Sequence, residues 1–498
     1  MPSVGGESGE CRPKTPADGP TTARFKGVGA RVMIEHLEQQ KKFTINQWKI
    51  FAAATIGDML DFFDFLLIAF VLAFIVKDWN LTYGQSAAIL LASGVSAPLG
   101  SLIWGWVADR IGRRKVMIAT ILNFSIATGL MALTPEHSWM FLVICRFFVG
   151  FGVTGLYTVD ITVVQEFVPA SRRGWITGVT TTMLPAGFIL GALLGQYVEV
   201  YIGWRGLFAI GLLPAGLSLL IRAWVPESPH WLIRVGRLEE ARQSLAWALM
   251  VDPKEIQLPA VAPPVEKVVW RELFKYPRSV AAGCLAGLSG TGITGFLLWQ
   301  VTLFVMVLHV TPAQASGLVI WLSLGQIVGR FFCSWISDAM GRRASIALTC
   351  TIAGVAMSLA GYWHDLFLGG FSVFYLMIMV QQFFGSGSYS IIGPYMAEIW
   401  PSRLRASGMG LAYGAGNLGK FIGPAGLALI AGSSNFVSPQ ATVDALIPAM
   451  NYFAVWYVLA LVAVLFIGFE TGGRTIDEID SALTAKGPTV APVKAPAV

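Results

Sequence analysis

The chain has 498 residues, 55% hydrophobic and only 13% charged. Soluble globular domains carry roughly a quarter charged residues, so a soluble globule is excluded and a polytopic membrane protein is indicated. The formal net charge is +6, but Lys and Arg fall in short segments between apolar runs, where the positive-inside rule accounts for them; nucleic-acid binding is set aside.

In chain order, residues 1–48 are polar and lack the apolar core of a cleavable signal peptide, which predicts a cytoplasmic N-terminal segment. Apolar runs long enough for a hydrocarbon layer of ~30 Å follow near 49–76, 84–107, 116–134, 138–165, 175–200 and 205–225. A polar segment, 226–279, then intervenes, with Pro226-Glu-Ser-Pro229, an amphipathic stretch at 237–250 and a Pro-rich piece at 259–264. Further runs lie near 280–308, 313–337, 344–363, 367–396, 406–432 and 447–469, ahead of a polar tail at 470–498. The expectation is an all-α protein of 12 transmembrane helices in two six-helix halves, 49–225 and 280–469, joined by a cytoplasmic middle loop. With the N-terminus inside, Arg110 to Lys115, Arg172, Arg173, the middle loop, Arg342, Arg343, Arg403, Arg405 and Arg474 share the cytoplasmic side, while Lys77 and Arg205 lie opposite. Both termini are therefore expected in the cytoplasm, the protein spanning the plasma (inner) membrane. The five cysteines include Cys145, Cys284, Cys333 and Cys350 inside apolar runs without metal-ligand spacing, which reads as packing.

The halves repeat each other. Asp109-Arg-Ile-Gly-Arg-Arg114 returns as Asp338-Ala-Met-Gly-Arg-Arg343, and Trp106/Trp335 keep the same offset; Glu166, Pro169 and Arg173 find counterparts in Glu398, Pro401 and Arg405. Parallel duplication of this kind places a transporter's binding site near the bilayer midplane, between the halves.

Gly105-Trp-Val-Ala-Asp-Arg-Ile-Gly-Arg-Arg-Lys115 and its copy at 334–343 resemble the loop signatures of the major facilitator superfamily. Arg146-Phe-Phe-Val-Gly-Phe-Gly152 is similar to that family's fourth-helix motif, whose buried Arg is implicated in proton coupling. Pro226-Glu-Ser-Pro-His-Trp-Leu232 and Glu470-Thr-Gly-Gly-Arg-Thr-Ile-Asp-Glu-Ile-Asp480 resemble signatures shared by sugar porters and organic-acid symporters. The seventh run, Leu288-Ser-Gly-Thr-Gly-Ile-Thr-Gly295, departs from the sugar-porter pattern, whereas Asp61-Phe-Phe-Asp64 resembles the Asp-x-x-Asp of aromatic-acid and sialate/monocarboxylate proton symporters. The antiporter signature is not matched: Pro185, the proline of the fifth run, is followed by Ala-Gly. The resemblance implies a proton symporter importing a small organic anion.

Three acids, Asp58, Asp61 and Asp64, recur every third residue and so share one helix face. A carboxylate at mid-membrane costs about 2.5–3.5 kcal/mol, so such residues are kept where they line a cavity or pair internally. They are the proton-coupling candidates, with Arg146 as a cation able to pair with them; fastening the first helix is the competing role. Lys420, in Tyr413-Gly-Ala-Gly-Asn-Leu-Gly-Lys420, and Arg330 are the cations placed to meet a substrate carboxylate. Trp299, Gln300, Gln381, Gln382, Tyr389 and Asn417 are further substrate-contact candidates, against helix packing. Asp109, Arg113, Glu166, Asp338, Arg342 and Glu398 are expected to form a conformational gate, the two glutamates bridging to Arg113 and Arg342. Asp160 fits a relay or a local pair equally. His309 and His364 read as surface residues.

No Walker motif, metal-ligand cluster or catalytic triad is present in the sequence, so neither a cofactor nor an enzymatic reaction is expected, and an ion gradient is the expected energy source. The expected partners are the substrate, protons and the bilayer; a monomer suffices, with the oligomeric state left open. A proton-coupled sugar or polyol importer, a proton-driven exporter of hydrophobic compounds and a non-transporting nutrient receptor are the competing functions.

Overall fold

The structure, a computed structural model, describes residues 40, 42–256, 270–401 and 404–472. Most of the polar N-terminal segment, the Pro-rich piece at 259–264, Arg403 and the tail beyond residue 472, with Arg474, lie outside the described residues.

Helices form where the apolar runs begin on good caps. Ile45–Asp78 (α1), Tyr83–Ile111 (α2) and Pro312–Met340 open on the same capping box, in which Thr44, Thr82 or Thr311 accepts from the third helical N–H and Gln47, Gln85 or Gln314 reaches back. After α2 come Arg113–Met131 (α3), Trp139–Glu166 (α4) and Ala170–Leu193 (α5). A π-helical turn, Leu194–Val198, links α5 to Glu199–Ile210 (α6), which Gly203 bends with φ 66° and ψ 175°. Pro214–Trp224 (α7) ends this half. The middle segment contributes Pro229–Arg234 (α8) and Leu238–Leu249 (α9), then Pro277–Gly292 (α10) and Thr294–Leu308 (α11) follow. Pro312–Met340 is α12, Arg342–Tyr362 α13, Val373–Glu398 α14, Arg405–Gly416 α15, Gly419–Ala431 α16 and Pro439–Leu461 α17. A two-stranded hairpin, Phe367–Leu368 (β1) with Phe371–Ser372 (β2), joins α13 to α14.

Among the described residues, eight helical stretches are long and apolar enough to cross a membrane, fewer than the twelve apolar runs. The remaining runs are accounted for by their chemistry. α3 opens on Arg113, Arg114 and Lys115, and α14 carries Gln381, Gln382 and a Gly/Ser-rich stretch. The sixth run is split around 211–213, and the eleventh at Asn417–Leu418. The seventh run, one of the eight, also breaks at Ile293, between α10 and α11.

The duplication is visible in the packing. α2 packs on α4 as α12 packs on α14; α3 on α4 as α13 on α14; and α1 on α5 as α10 on α15. Between the halves, α5 packs on α12 and α2 on α16. The shared motif has a backbone reason. Gly112 (φ 105°) and Gly341 (φ 83°) turn the chain between α2 and α3 and between α12 and α13, a conformation that other residues avoid. A carboxylate then closes each turn: Glu227 accepts from the N–H groups of Arg113 (2.8 Å) and Arg114 (3.1 Å), and Glu470 from those of Arg342 (2.9 Å) and Arg343 (3.1 Å). A negative charge on the free N–H groups of a helix start is favourable electrostatically as well.

The ends of the bundle differ. Opposite the duplicated basic loops, the halves are tied by backbone hydrogen bonds from Tyr83 N–H to Asn435 O (2.9 Å), Gly84 N–H to Ser433 O (2.9 Å) and Val437 N–H to Leu81 O (3.1 Å). The Tyr83 and Thr442 hydroxyls add a 2.6 Å contact.

Candidate functional site

A cavity of about 120 Å³ opens between the halves. α1 contributes Asp61, Phe62 and Phe65, and α12 contributes Gln326 and Arg330. Gln381, Gln382, Ser386 and Tyr389 come from α14, Tyr413 from α15, Lys420 from α16 and Tyr457 from α17. The carboxylate thus comes from the N-terminal half and both cations from the C-terminal half.

Lys420 enters because the eleventh run is broken: it is the second residue of α16, just past Asn417–Leu418. Glycine brings the backbone close, since a Cβ on Gly94 of α2 would stand 2.6 Å from the Lys420 carbonyl oxygen. The Lys420 ammonium lies 5.6 Å from the Phe65 ring centre and within electrostatic reach of Asp61. One Asp61 oxygen is buried without a hydrogen-bond partner in the protein.

Arg330 is almost fully buried. Its Nε donates to Ser386 Oγ (2.8 Å), its Nη1 donates to the Thr181 carbonyl of α5, and its guanidinium carbon stands 5.7 Å from the Tyr389 ring centre. Gln381 donates to Tyr457 Oη (2.6 Å) and Gln382 to Gln300 Oε1 (3.3 Å). Gln381 Oε1 and Gln326 Nε2 have no partner within the protein. Buried polar atoms in this condition are groups that a ligand or water satisfies.

The remaining predicted residues take other positions. Gln300 lies behind Gln382 and does not line the cavity. Trp299 is fully buried, donates to Pro424 O (3.1 Å) and packs 5.9 Å from Tyr83 between the halves. Asn417 is buried at the break before α16, with neither amide atom partnered in the protein, and does not line the cavity. Asp58 lies against Asp160, and Asp64 beside Thr128 and Arg146. The Arg146 guanidinium donates to the backbone carbonyls of Asp64 (3.4 Å) and Phe65 (3.0 Å) and to Ser93 Oγ (2.9 Å). Among the described residues it makes no ion pair within 4 Å, so it fastens the backbone of α1 and only borders the acid stripe.

At the basic end, Arg113 meets Glu166 at 3.3 Å and Arg342 meets Glu398 at 3.5 Å. Each pair stays inside its own half. Asp109 binds Arg234 of α8 at 2.8 Å, more closely than Arg113 at 4.0 Å, and exposed Asp338 meets Arg342 at 3.3 Å. Ser228 donates to Glu166 and Thr471 donates to Glu398 (2.6 Å), again as counterparts. Burial lifts the Glu166 carboxyl above its usual range, with Arg113 and Ser228 opposing the shift. Site reasoning from sequence passed over Glu227, Glu470, Ser228 and Thr471, although all four stand in the Pro-Glu-Ser-Pro and Glu-Thr-Gly-Gly signatures.

The arrangement joins an acid able to carry a proton to two cations able to hold an anion, in one cavity between two packed halves. Comparison with known proteins agrees with that architecture. The niacin transporter NiaP of Acinetobacter baylyi is 28% identical over 449 residues, covering 85% of this chain and 94% of that protein. The cis,cis-muconate transport protein of the same organism is 24% identical, covering 79% and 90%, and the sialic acid transporter NanX of Escherichia coli is 26% identical, covering 86% and 95%. The inward open structure of the xylose transporter XylE from E. coli superposes with a TM-score of 0.67 at 18% identity, covering 88% of this chain and 99% of that one, a likeness of fold. The profile of the sugar (and other) transporter family matches residues 49–483, and the chain belongs to that family, an integral multi-pass membrane transporter with the major facilitator fold.

Proposed function

We propose that this protein imports a small organic carboxylate together with protons across the plasma (inner) membrane, as twelve spans with both termini in the cytoplasm. The observation that carries the reading is the division of charge around the cavity: Asp61 on the N-terminal half faces Lys420 and Arg330 on the C-terminal half. An incoming carboxylate takes the ammonium of Lys420, and Asp61, deprived of its cation, takes a proton. Asp58, Asp64 and Arg146 support Asp61 from the same region of the N-terminal half. The aromatic residues Phe62, Phe65, Tyr389, Tyr413 and Tyr457 suit a planar substrate, and the names of the niacin and muconate relatives agree with that chemistry.

With the basic loops facing the cytoplasm, the tied end faces outward and the state described is inward-facing. Asp109, Arg113, Glu166, Asp338, Arg342 and Glu398 act as the gate by exchanging partners as the halves rock. A second reading, a sugar, is favoured by the three amides Gln326, Gln381 and Gln382, which suit hydroxyl groups. The test is uptake into proteoliposomes under an imposed inward proton gradient, offering nicotinate, cis,cis-muconate, N-acetylneuraminate and xylose. Gradient-driven accumulation of a carboxylate is expected; accumulation of xylose alone overturns the anion assignment.

A further inference from the structure

Arg330 does more than line the cavity, because its partner in the other half is not an ordinary helical carbonyl. In an α-helix the carbonyl of residue 181 accepts from the N–H of residue 185. Residue 185 is Pro185, inside α5, and proline has no N–H to give. The carbonyl that the proline leaves without its helical donor is the one to which Arg330 Nη1 donates, from α12 of the opposite half. On its own half the same guanidinium is held by Ser386. Leu184, beside Pro185, lines the cavity, so this junction borders the binding space directly.

We propose that Arg330 and the Thr181 carbonyl form a state-specific tie between the halves, created by Pro185, and that a carboxylate bound at Arg330 dissolves it. A charge-assisted bond to a neutral carbonyl is made when α5 and α12 lie side by side as here, and it is lost when the halves rock apart. A carboxylate is the stronger acceptor for a guanidinium. Occupancy of the cavity then removes a contact that favours this state, which couples binding to motion without a moving loop. The tie itself stands on the contacts around Pro185; its release by ligand rests on the carboxylate reading of the cavity.

The test uses the full chain in nanodiscs, with spin labels on cysteines placed at Ile111 and Met340, exposed residues at the basic ends of α2 and α12. Distances between them report the populations of the two states. Pro185→Ala restores an N–H at residue 185, and Arg330→Gln removes the donor. Without ligand, each variant is expected to shift the population away from the tied state on the order of tenfold, the size of one charge-assisted hydrogen bond. The double variant should shift it no further than Arg330→Gln alone, since the residue-185 N–H acts only by competing for the carbonyl that Arg330 uses. An unchanged distribution in Arg330→Gln overturns the tie, and an unchanged distribution in Pro185→Ala, or fully additive shifts, overturns its origin in Pro185. Nicotinate added to wild type should move the distances as Pro185→Ala does, and should not move them in Arg330→Gln. If nicotinate binds, by calorimetry, yet leaves the wild-type distribution in place, the release step is wrong. If neither nicotinate nor any other carboxylate binds, the functional reading fails and the ligand-free comparison still decides the tie.

Discussion

Lys420→Gln should weaken carboxylate binding by about 2–4 kcal/mol, roughly 30- to 1,000-fold in Kd. The Lys420 ammonium has no carboxylate within 4 Å among the described residues, so its nearest counter-charge, Asp61, holds it across the cavity and not in a closed pair. A substrate carboxylate drawn to about 4 Å gains about 4 kcal/mol at the effective dielectric of a protein site. Desolvation and the weakened hold of Asp61 reduce that figure, by about half at most if the cavity stays partly wet. Lys420→Arg should retain part of the affinity, because the charge stays while the point-like ammonium becomes a planar fork. The assay is calorimetric binding of the transported carboxylate to purified wild type and both variants across pH. Wild-type affinity should rise toward acid pH, where a protonated Asp61 leaves Lys420 to the substrate, and Asp61→Asn should flatten that profile. Equal affinity in wild type and Lys420→Gln would refute the reasoning and leave Arg330 as the anion-binding cation.

Collapse of the proton gradient by a protonophore should abolish accumulation in sodium-free medium; persistence of accumulation would rule out proton symport. Asp61→Asn should lose gradient-driven accumulation but keep counterflow exchange, since asparagine keeps the shape and cannot cycle a proton; Asp64→Asn, outside the cavity lining, should lose less. Glu227→Gln and Glu470→Gln should each cost about 1–2 kcal/mol through the charged cap at the start of α3 or α13, read as a lowered Tm of purified protein with substrate affinity unchanged. Because burial raises Glu166 in the folded state, the folded protein binds its proton more tightly than the unfolded chain does. Stability should therefore fall as pH rises from about 4.5 through the raised pKa of the buried carboxyl, and thermal melts of Glu166→Gln should show a flatter dependence over that interval.

The duplicated motifs were legible because a turn with positive φ demands glycine and because opposite charges recur at matching places in the two halves: Gly112 and Gly341, Arg113 with Glu166, and Arg342 with Glu398 all follow from residue type and spacing. Lys420, Arg330 and Asp61 were legible for a related reason, since charge inside an apolar run has few places to go. Gln326 was passed over although it precedes Arg330 by four positions and so shares its helix face. Tyr413 was read only as the start of the stretch that ends at Lys420 and Tyr457 gave no signal, because a tyrosine in an apolar run packs as readily as it lines a cavity. Trp299, Gln300 and Asn417 went the other way. Trp299 and Gln300 follow the break at Ile293 and Asn417 sits in the break before α16, where the rotational phase of the helix no longer follows from the residues before it. The partner of Arg330 was hidden as well, because the sequence around Pro185 does not show which helix uses the carbonyl that the proline leaves without its helical donor.

The two ends of the bundle are held by different chemistry, and that difference sets what a substrate must supply. At the tied end, three backbone hydrogen bonds and one hydroxyl contact join the halves. Each is worth about 0.5–1.5 kcal/mol net once water is an alternative partner, so together they hold that end shut by about 2–6 kcal/mol. At the basic end, the described pairs of Arg113 and Arg342 lie within single halves and oppose opening not at all. A ligand can shift this balance only by its difference in affinity for the two states, and a swing of about 5.5 kcal/mol is needed to invert a 99-to-1 population. One carboxylate drawn by Lys420 and Arg330 reaches that size only if it also meets groups of the N-terminal half when the cavity closes on it. Asp61 is a poor surface for an anion while ionised, and a neutral hydrogen-bond donor once protonated. Under the proposed proton symport, proton uptake converts the N-terminal wall of the cavity from one that repels the anion into one that binds it, and that conversion can supply the difference between states that rocking requires.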